Sequence, residues 1–336
     1  MGEAALPGSL EAILAERRQQ VDEALEHWLP LQGDHPPQIH EVMRYSVFAG
    51  GKRLRPILAL LACEAVGGNP EDAMPAAAAL EMIHTYSLIH DDLPAMDDDD
   101  YRRGRRTCHR VYGEAIAILA GDALLTHAFQ VLADAGPTRL LPERRLRVIA
   151  EIAEAAGSCG MVGGQAMDIL AEGHEIDHPT LLYLHTHKTG ALIRASVRVG
   201  GIAGGAEEEQ LEALTRYAER VGLAFQIVDD IINVSPDESD NKDAFNDILE
   251  GKSTLPLVIL FKQRPEVLRE IALLPGPEEK KGYIVSELGT DILCRSRTIA
   301  QEYLDKSLQI LKESGYLTDE LSDIPHQIIA QVKARF

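Results

Sequence analysis

Apolar residues recur at three- and four-residue spacing along almost the whole of this 336-residue chain, while sustained two-residue alternation is absent. A chain patterned this way must bury one stripe of each helix against other helices, which predicts an all-α protein. With no strong linker and no fixed-period repeat, residues 1–336 are expected to form one domain. Composition agrees where it bears on the point. Hydrophobic residues make up 45%, enough for a sizeable core, and only 5% of residues are aromatic. The spacing predicts a first amphipathic helix over Leu10–Trp28, closed by Pro30 and the loop from Gly33 to Pro37. Asn69-Pro70-Glu71-Asp72 has the chemistry of a helix start: an N-cap amide, a proline at the first position and acids at the positive end of the dipole. An Ala-rich helix should run from there toward Asp97. Further helices are expected near 112–134, 142–158, 160–172, 179–199, 207–234, 253–263 and 291–314, with a last one after Leu317. Gly200-Gly201 and Gly204-Gly205 should punctuate one junction and Pro236 another, and 235–246 is the most loop-like stretch.

A net charge of -20 argues against nucleic acid as a partner, because phosphate backbones call for surplus Lys and Arg. The four cysteines, Cys63, Cys108, Cys159 and Cys294, are scattered without a CxxC pair. That spacing excludes a zinc or redox motif and suits a reduced, cytoplasmic setting. The first twenty residues lack a basic n-region and a continuous apolar core, so no signal peptide is expected. No apolar run is read as reaching the roughly 18 residues of a membrane span.

Two acidic clusters interrupt this helical background. The first is Asp91-Asp92-Leu93-Pro94-Ala95-Met96-Asp97-Asp98-Asp99-Asp100, and the second is Asp229-Asp230-Ile231-Ile232-Asn233. Asp98–Asp100 read as solvated charge. Asp91 and Asp229 do not, because both follow apolar stretches where an unpaired carboxylate is costly to bury. Asp91 and Asp97 lie six apart, a spacing a regular helix does not align, so Pro94 is expected to bend the helix and bring both onto one wall. Oxygen-only clusters of this kind suit magnesium, which takes one or two carboxylates plus phosphate oxygens and waters. Basic residues stand where that idea needs them: Arg102-Arg103-Gly104-Arg105-Arg106, Gly51-Lys52-Arg53-Leu54-Arg55-Pro56, and Lys188, Lys242 and Lys252. Arginine forks and lysine point charges are how proteins hold phosphates. Together the clusters describe a metal–diphosphate end and a separate basic diphosphate end.

The run from Glu81 to Leu125, EMIHTYSLIHDDLPAMDDDDYRRGRRTCHRVYGEAIAILAGDALL, resembles the first aspartate-rich region of bacterial-type farnesyl and geranylgeranyl diphosphate synthases, the polyprenyl synthetase family. RYSVFAGGKRLRP, GGQAMDI, HTHKTGALI, GLAFQIVDDI and EGKSTLP resemble that family's other signatures, in order, over about residues 40–260. The resemblance implies an all-α isoprenoid-synthase bundle around a central cavity, acting as a trans-prenyltransferase and commonly a homodimer. It implies that Asp91, Asp97 and, from a facing helix, Asp229 bind magnesium, with three ions per site. Arg102, Lys188, Lys242 and Lys252 would hold an allylic diphosphate. Lys52, Arg55, His84 and Arg103 would hold isopentenyl diphosphate. Lys188, Thr189 and Gln226 would serve the reaction centre. Tyr86, five residues before Asp91, and its neighbour Ser87 would set the floor of the cavity and limit the product to C15, with C20 as the alternative.

Three departures accompany the likeness. Asn233 stands where a third aspartate is usual, the segment between Asp230 and Asp247 is one residue short, and Asn241 replaces a glycine before Lys242. Rival readings are weaker. Glu81-Met82-Ile83-His84 and Glu175-Ile176-Asp177-His178 match the Glu-x-x-His of di-iron bundles, but the second lies in a turn beside Pro179. A terpene cyclase would carry a different second metal motif, and a non-catalytic partner subunit would lack the aspartate clusters.

Overall fold

The computed structural model describes residues 10–134, 140–172, 176–234, 252, 254–316 and 318–333. The expected loop at 235–246, and with it Asn241 and Lys242, lies outside the described residues. Of the described residues, 79% are helical. The elements are α1 (Leu10–Trp28), α2 (Pro37–Val47), α3 (Leu54–Ala65), α4 (Pro70–Asp91), β1 (Tyr101–Arg102), β2 (Arg105–Arg106), α5 (Cys108–Tyr112), α6 (Glu114–Ala133), α7 (Pro142–Ala156), α8 (Met161–Ala171) and α9 (His178–Leu184). A π-turn over His185–Thr189 follows, then α10 (Gly190–Gly204), α11 (Glu208–Val234), α12 (Leu255–Gln263), α13 (Pro265–Ile271), α14 (Pro277–Glu287), α15 (Thr290–Ser314) and α16 (Asp319–Lys333). They divide into two compact units, Met1–Ala153 with Ala195–Leu214, and Glu154–Arg194 with Thr215–Phe336.

In the first unit α4 is the central helix, packed against α3 and α6. Its alanines explain this: Ala73 and Ala76 to Ala79 are all buried, and short side chains let neighbouring helices approach from several directions. The start is as the sequence predicts, with the Asn69 side chain accepting the Glu71 N–H at 3.2 Å. The end is not. The helix stops at Asp91 rather than running toward Asp97, because Pro94 disfavours helical backbone at the residue before it.

Two further expectations are corrected. Gly200 and Gly201 do not break the chain but lie inside α10. A Cβ on Gly200 would collide with the Ala59 carbonyl of α3, so this glycine permits close helix contact rather than a turn. And α6, Glu114–Ala133, is by length and composition long and apolar enough to cross a membrane, with a mean hydropathy of 1.6 over its most apolar window. Its buried residues, among them Ala117, Ala120, Leu124 and Ala128, pack as a core helix of the first unit. Two short paired strands, β1 and β2, were also not foreseen.

In the second unit α8 packs on α9 and the π-turn, while α12 and α16 pack on α15. The fully buried Tyr217 of α11 donates its hydroxyl to the Leu321 carbonyl at 2.9 Å. Gly164 of α8 lies against the backbone of Lys188, where no side chain fits.

The glycines give a test with opposite signs. Gly200→Ala should destabilise the protein by about 1–3 kcal/mol in chemical denaturation, because the added methyl meets backbone. Gly282→Ala, in the exposed middle of α14 with open space around it, should stabilise by roughly 0.5–1 kcal/mol.

Candidate active site

The first acidic cluster is a turn, not a bent helix. After α4 ends, Met96 N–H and Asp98 N–H both return to the Leu93 carbonyl, at 2.8 and 3.1 Å. Asp97 N–H returns to the carbonyl of Asp91 at 2.8 Å, so the two acids expected to act together are joined through their backbones. Asp91 and Asp97 are both half-buried. A pair of carboxylates suits magnesium, whose shell is completed by phosphate oxygens and water. Among the described residues no group of three or more His, Cys, Asp or Glu side chains could hold a metal by itself, and Glu81 is engaged by arginine.

The basic run folds into the β1–β2 hairpin. Arg103 and Gly104 both have positive φ, 54° and 75°, the conformation of a two-residue hairpin turn. This places Arg102 on the strand, where it pairs with the buried Asp92 and, at 3.0 Å, with Asp99. Two of its five N–H groups are used in this way, and a phosphate can take others. Arg103, on the turn, donates to the carbonyl of Gly50. Thr85, Asp92, Arg102 and Arg103 share the lining of a small cavity of about 40 Å³, room for a water rather than a diphosphate.

The loop before α3 is shaped by positive backbone angles at Gly50, Gly51 and Arg53. It presents Lys52 exposed and Arg55 half-buried. The electrostatics of His84 show what gathers there. Burial pushes its pKa well below the ordinary value, and Arg55, Arg103, Arg102 and Arg53 push it further the same way. Burial and the four guanidinium groups thus all disfavour protonation of His84. Burial also lowers the pKa of Arg103, and Asp92 is raised to about 7 because burial outweighs the pull of Arg102. Tyr86 on α4 is 6% exposed and meets the ring of His90 edge to face at 5.7 Å. Ser87 donates its hydroxyl to the His84 carbonyl at 2.9 Å.

In the second unit the π-turn carries Lys188 and Thr189 together, and such wide turns are frequent at functional positions. Lys188 pairs with Asp168 of α8 at 2.5 Å. Thr189 donates to the Gln226 side-chain oxygen at 2.7 Å, so these two expected partners do meet. Gln226 in turn donates to Asp230 at 3.2 Å, and Asp230 also accepts the Leu255 N–H at 2.8 Å and lies 3.3 Å from His185 Nε2. Asp229 and Asn233 are half-buried on α11, one helical turn apart, and Lys252 is half-buried.

Sequence reasoning missed Arg53, Glu81, Asp92, Asp168, His185 and Asp230 as parts of this arrangement. Glu81 had a signal, since it sits within Leu80-Glu81-Met82-Ile83, where an acid requires a cation.

Comparison with known proteins agrees with the geometry. A family model described as polyprenyl synthetase matches residues 36–288, more than half of the chain. The chain is 45% identical over 295 residues to a dimethylallyltranstransferase of Fischerella ambigua (strain UTEX 1903), covering 86% of this chain and 84% of that one. It is 47% identical over 262 residues to a farnesyl diphosphate synthase of Geobacillus stearothermophilus, covering 77% and 88%. In structure it is similar to a geranylgeranyl pyrophosphate synthetase of Pyrococcus horikoshii Ot3, with a TM-score of 0.82, 32% identity, and coverage of 96% and 98%.

The raised pKa of Asp92 sets a pH dependence. The folded state holds a proton on Asp92 up to about pH 7, whereas the unfolded chain releases it near 4. Wild-type stability relative to Asp92→Asn should therefore fall as pH rises from about 4 to about 7, and stay level above that. Urea denaturation of both proteins across this range, without magnesium or diphosphate, checks the sign.

Proposed function

The chain belongs to the polyprenyl synthetase family, and from that premise we propose that it condenses isopentenyl diphosphate head to tail with dimethylallyl or geranyl diphosphate, giving mainly farnesyl diphosphate and pyrophosphate. That the protein is a trans-prenyltransferase which elongates prenyl chains follows from its family and relatives. The observation that carries the finer reading is the meeting of two basic segments: the loop bearing Lys52 and Arg55 supplies the Gly50 carbonyl on which Arg103 of the hairpin turn rests. Cations brought together from two segments suit a polyanion.

In this reading Lys52, Arg55, His84 and Arg103 hold isopentenyl diphosphate. Arg102, Lys188 and Lys252 hold the allylic diphosphate, with Lys242 assigned to it from the sequence. Asp91, Asp97 and Asp229 would hold magnesium, three ions being expected, and the bound metal would neutralise charge on the leaving pyrophosphate. Asn233 supplies an oxygen without the charge of an aspartate. Arg102 and Lys188 stabilise the charge that grows on the diphosphate as the allylic C–O bond breaks, and one such group is typically worth about 3–4 kcal/mol. The hydrogen-bonded oxygens of Thr189 and Gln226 face the developing carbocation. The double bond of isopentenyl diphosphate attacks that carbon, and the proton lost afterwards passes to the departing pyrophosphate. Asp168 holds the Lys188 ammonium in place. Both units are read as one polyprenyl synthetase domain, acting as a cytoplasmic homodimer. The exposed Val111, Ile118 and Leu119 offer apolar surface for a second copy.

Tyr86 supports the C15 assignment, because its ring is buried on α4 five residues before Asp91. A rise of 1.5 Å per residue sets it more than one turn below the acid-rich end. The likeness to a geranylgeranyl pyrophosphate synthetase keeps C20 as the second reading.

Mass spectrometry of products from magnesium, isopentenyl diphosphate and each of dimethylallyl, geranyl and farnesyl diphosphate should show C15 from the two shorter primers and no extension of the third. Tyr86→Ala should add one or more five-carbon units. C20 from the wild type, or an unchanged product from the variant, overturns the role of Tyr86. No elongation from any primer overturns the assigned reaction.

A further inference from the structure

Arg53 lies between two residues assigned to isopentenyl diphosphate, Lys52 and Arg55, yet its own side chain turns inward. It is 3% exposed, and its guanidinium meets the carboxylate of Glu81, itself 2% exposed, at 2.8 Å. The same group donates to Asp22 of α1 at 2.8 Å and to the Val47 carbonyl at the end of α2 at 2.8 Å. A longer contact, 3.5 Å, reaches the carbonyl of Gly50, which also accepts from Arg103. One side chain thus ties α1, α2, the 50–53 loop and α4 together. Its backbone has φ 52°, a conformation that costs a residue with a side chain and persists only when its surroundings enforce it.

A buried ion pair is a poor way to gain stability, since well-packed apolar side chains of similar size often do as well or better. What apolar side chains cannot do is grip the carbonyls of Val47 and Gly50 and so fix the path of the loop. Glu81 stands three residues before His84, on the same face of α4. The pair therefore sets three things at once: the loop that presents Lys52, the entry of α3 that carries Arg55, and the carbonyl on which Arg103 rests.

We propose that Arg53 and Glu81 are a positioning pair for the isopentenyl diphosphate site, which touch no substrate and hold Lys52, Arg55 and Arg103 in register to receive one diphosphate. This rests on the assignment of those three residues made above.

The test is steady-state kinetics with each substrate varied in turn, on Arg53→Lys, Glu81→Gln and the double variant Arg53→Met/Glu81→Leu, with thermal melting alongside. KM for isopentenyl diphosphate should rise by about tenfold or more while KM for the allylic diphosphate stays within about twofold. The double variant should fold, because apolar replacements leave no unpaired buried charge, and should still show the raised KM. If it instead melts like the wild type and recovers a normal KM for isopentenyl diphosphate, the pair is only structural and the proposal fails. A loss of affinity for both substrates in step with lost stability overturns it equally. Should neither buried variant fold, Asp22→Ala removes only the outer contact of Arg53. A selective rise in KM there supports the proposal, and none overturns it. Lys52→Ala and Arg55→Ala separate the two levels. If they leave KM for isopentenyl diphosphate unchanged, the assignment of the site itself is wrong. If they raise it while the Arg53 and Glu81 variants do not, only the positioning role is wrong.

Discussion

Like charges gathered out of water repel, and the first unit must solve that problem before it can bind anything. Arg53, Arg55, Arg102 and Arg103 all act on His84, and burial works against the charges of Arg53, Arg102 and Arg103. The chain answers with acids that serve the scaffold. Glu81 and Asp22 engage Arg53, and Asp92 and Asp99 engage Arg102. These pairs outweigh desolvation and raise the pKa of both arginines, whereas burial lowers that of Arg103, which rests on a backbone carbonyl. The hairpin and the 50–53 loop meet through one of these cations, where Arg103 donates to the Gly50 carbonyl.

Much of this was legible in the sequence wherever local chemistry decides the outcome. The start of α4 is dictated by Asn69 and Pro70, and the end of α1 by the prolines beyond it, and both occur as expected. Motif order singled out Thr189 and Gln226, and the two share a hydrogen bond although they stand 37 residues apart. The errors arose where a residue does two jobs. Gly200 looks like a breaker on its own, but in α10 it is the point where α3 comes close, and only the partner reveals that. Arg102-Arg103-Gly104-Arg105 looks like a run of charge, and the positive φ of its central pair makes it a hairpin. A charged run gives no periodicity from which such a turn could be read. Arg53 was hidden for a related reason, since between Lys52 and Arg55 its residue type gives no sign that it points inward.

The two acidic clusters obey one geometric rule. Adjacent residues on a helix project about 100° apart, so two neighbouring aspartates cannot serve the same ligand equally. In the first cluster Asp91 is half-buried while Asp92 is 4% exposed and bonded to Arg102. In the second Asp229 is half-buried while Asp230 is 3% exposed and bonded to Gln226 and the start of α12. The same division therefore occurs twice, in separate units of the chain. The second acid of each pair is spent on the protein, fixing in one case an arginine and in the other a glutamine hydrogen-bonded to Thr189. A doubled aspartate is then not simply twice the negative charge. Its second member anchors the group beside it, and replacing that member should disturb the order of Arg102 in one unit and of Gln226 in the other.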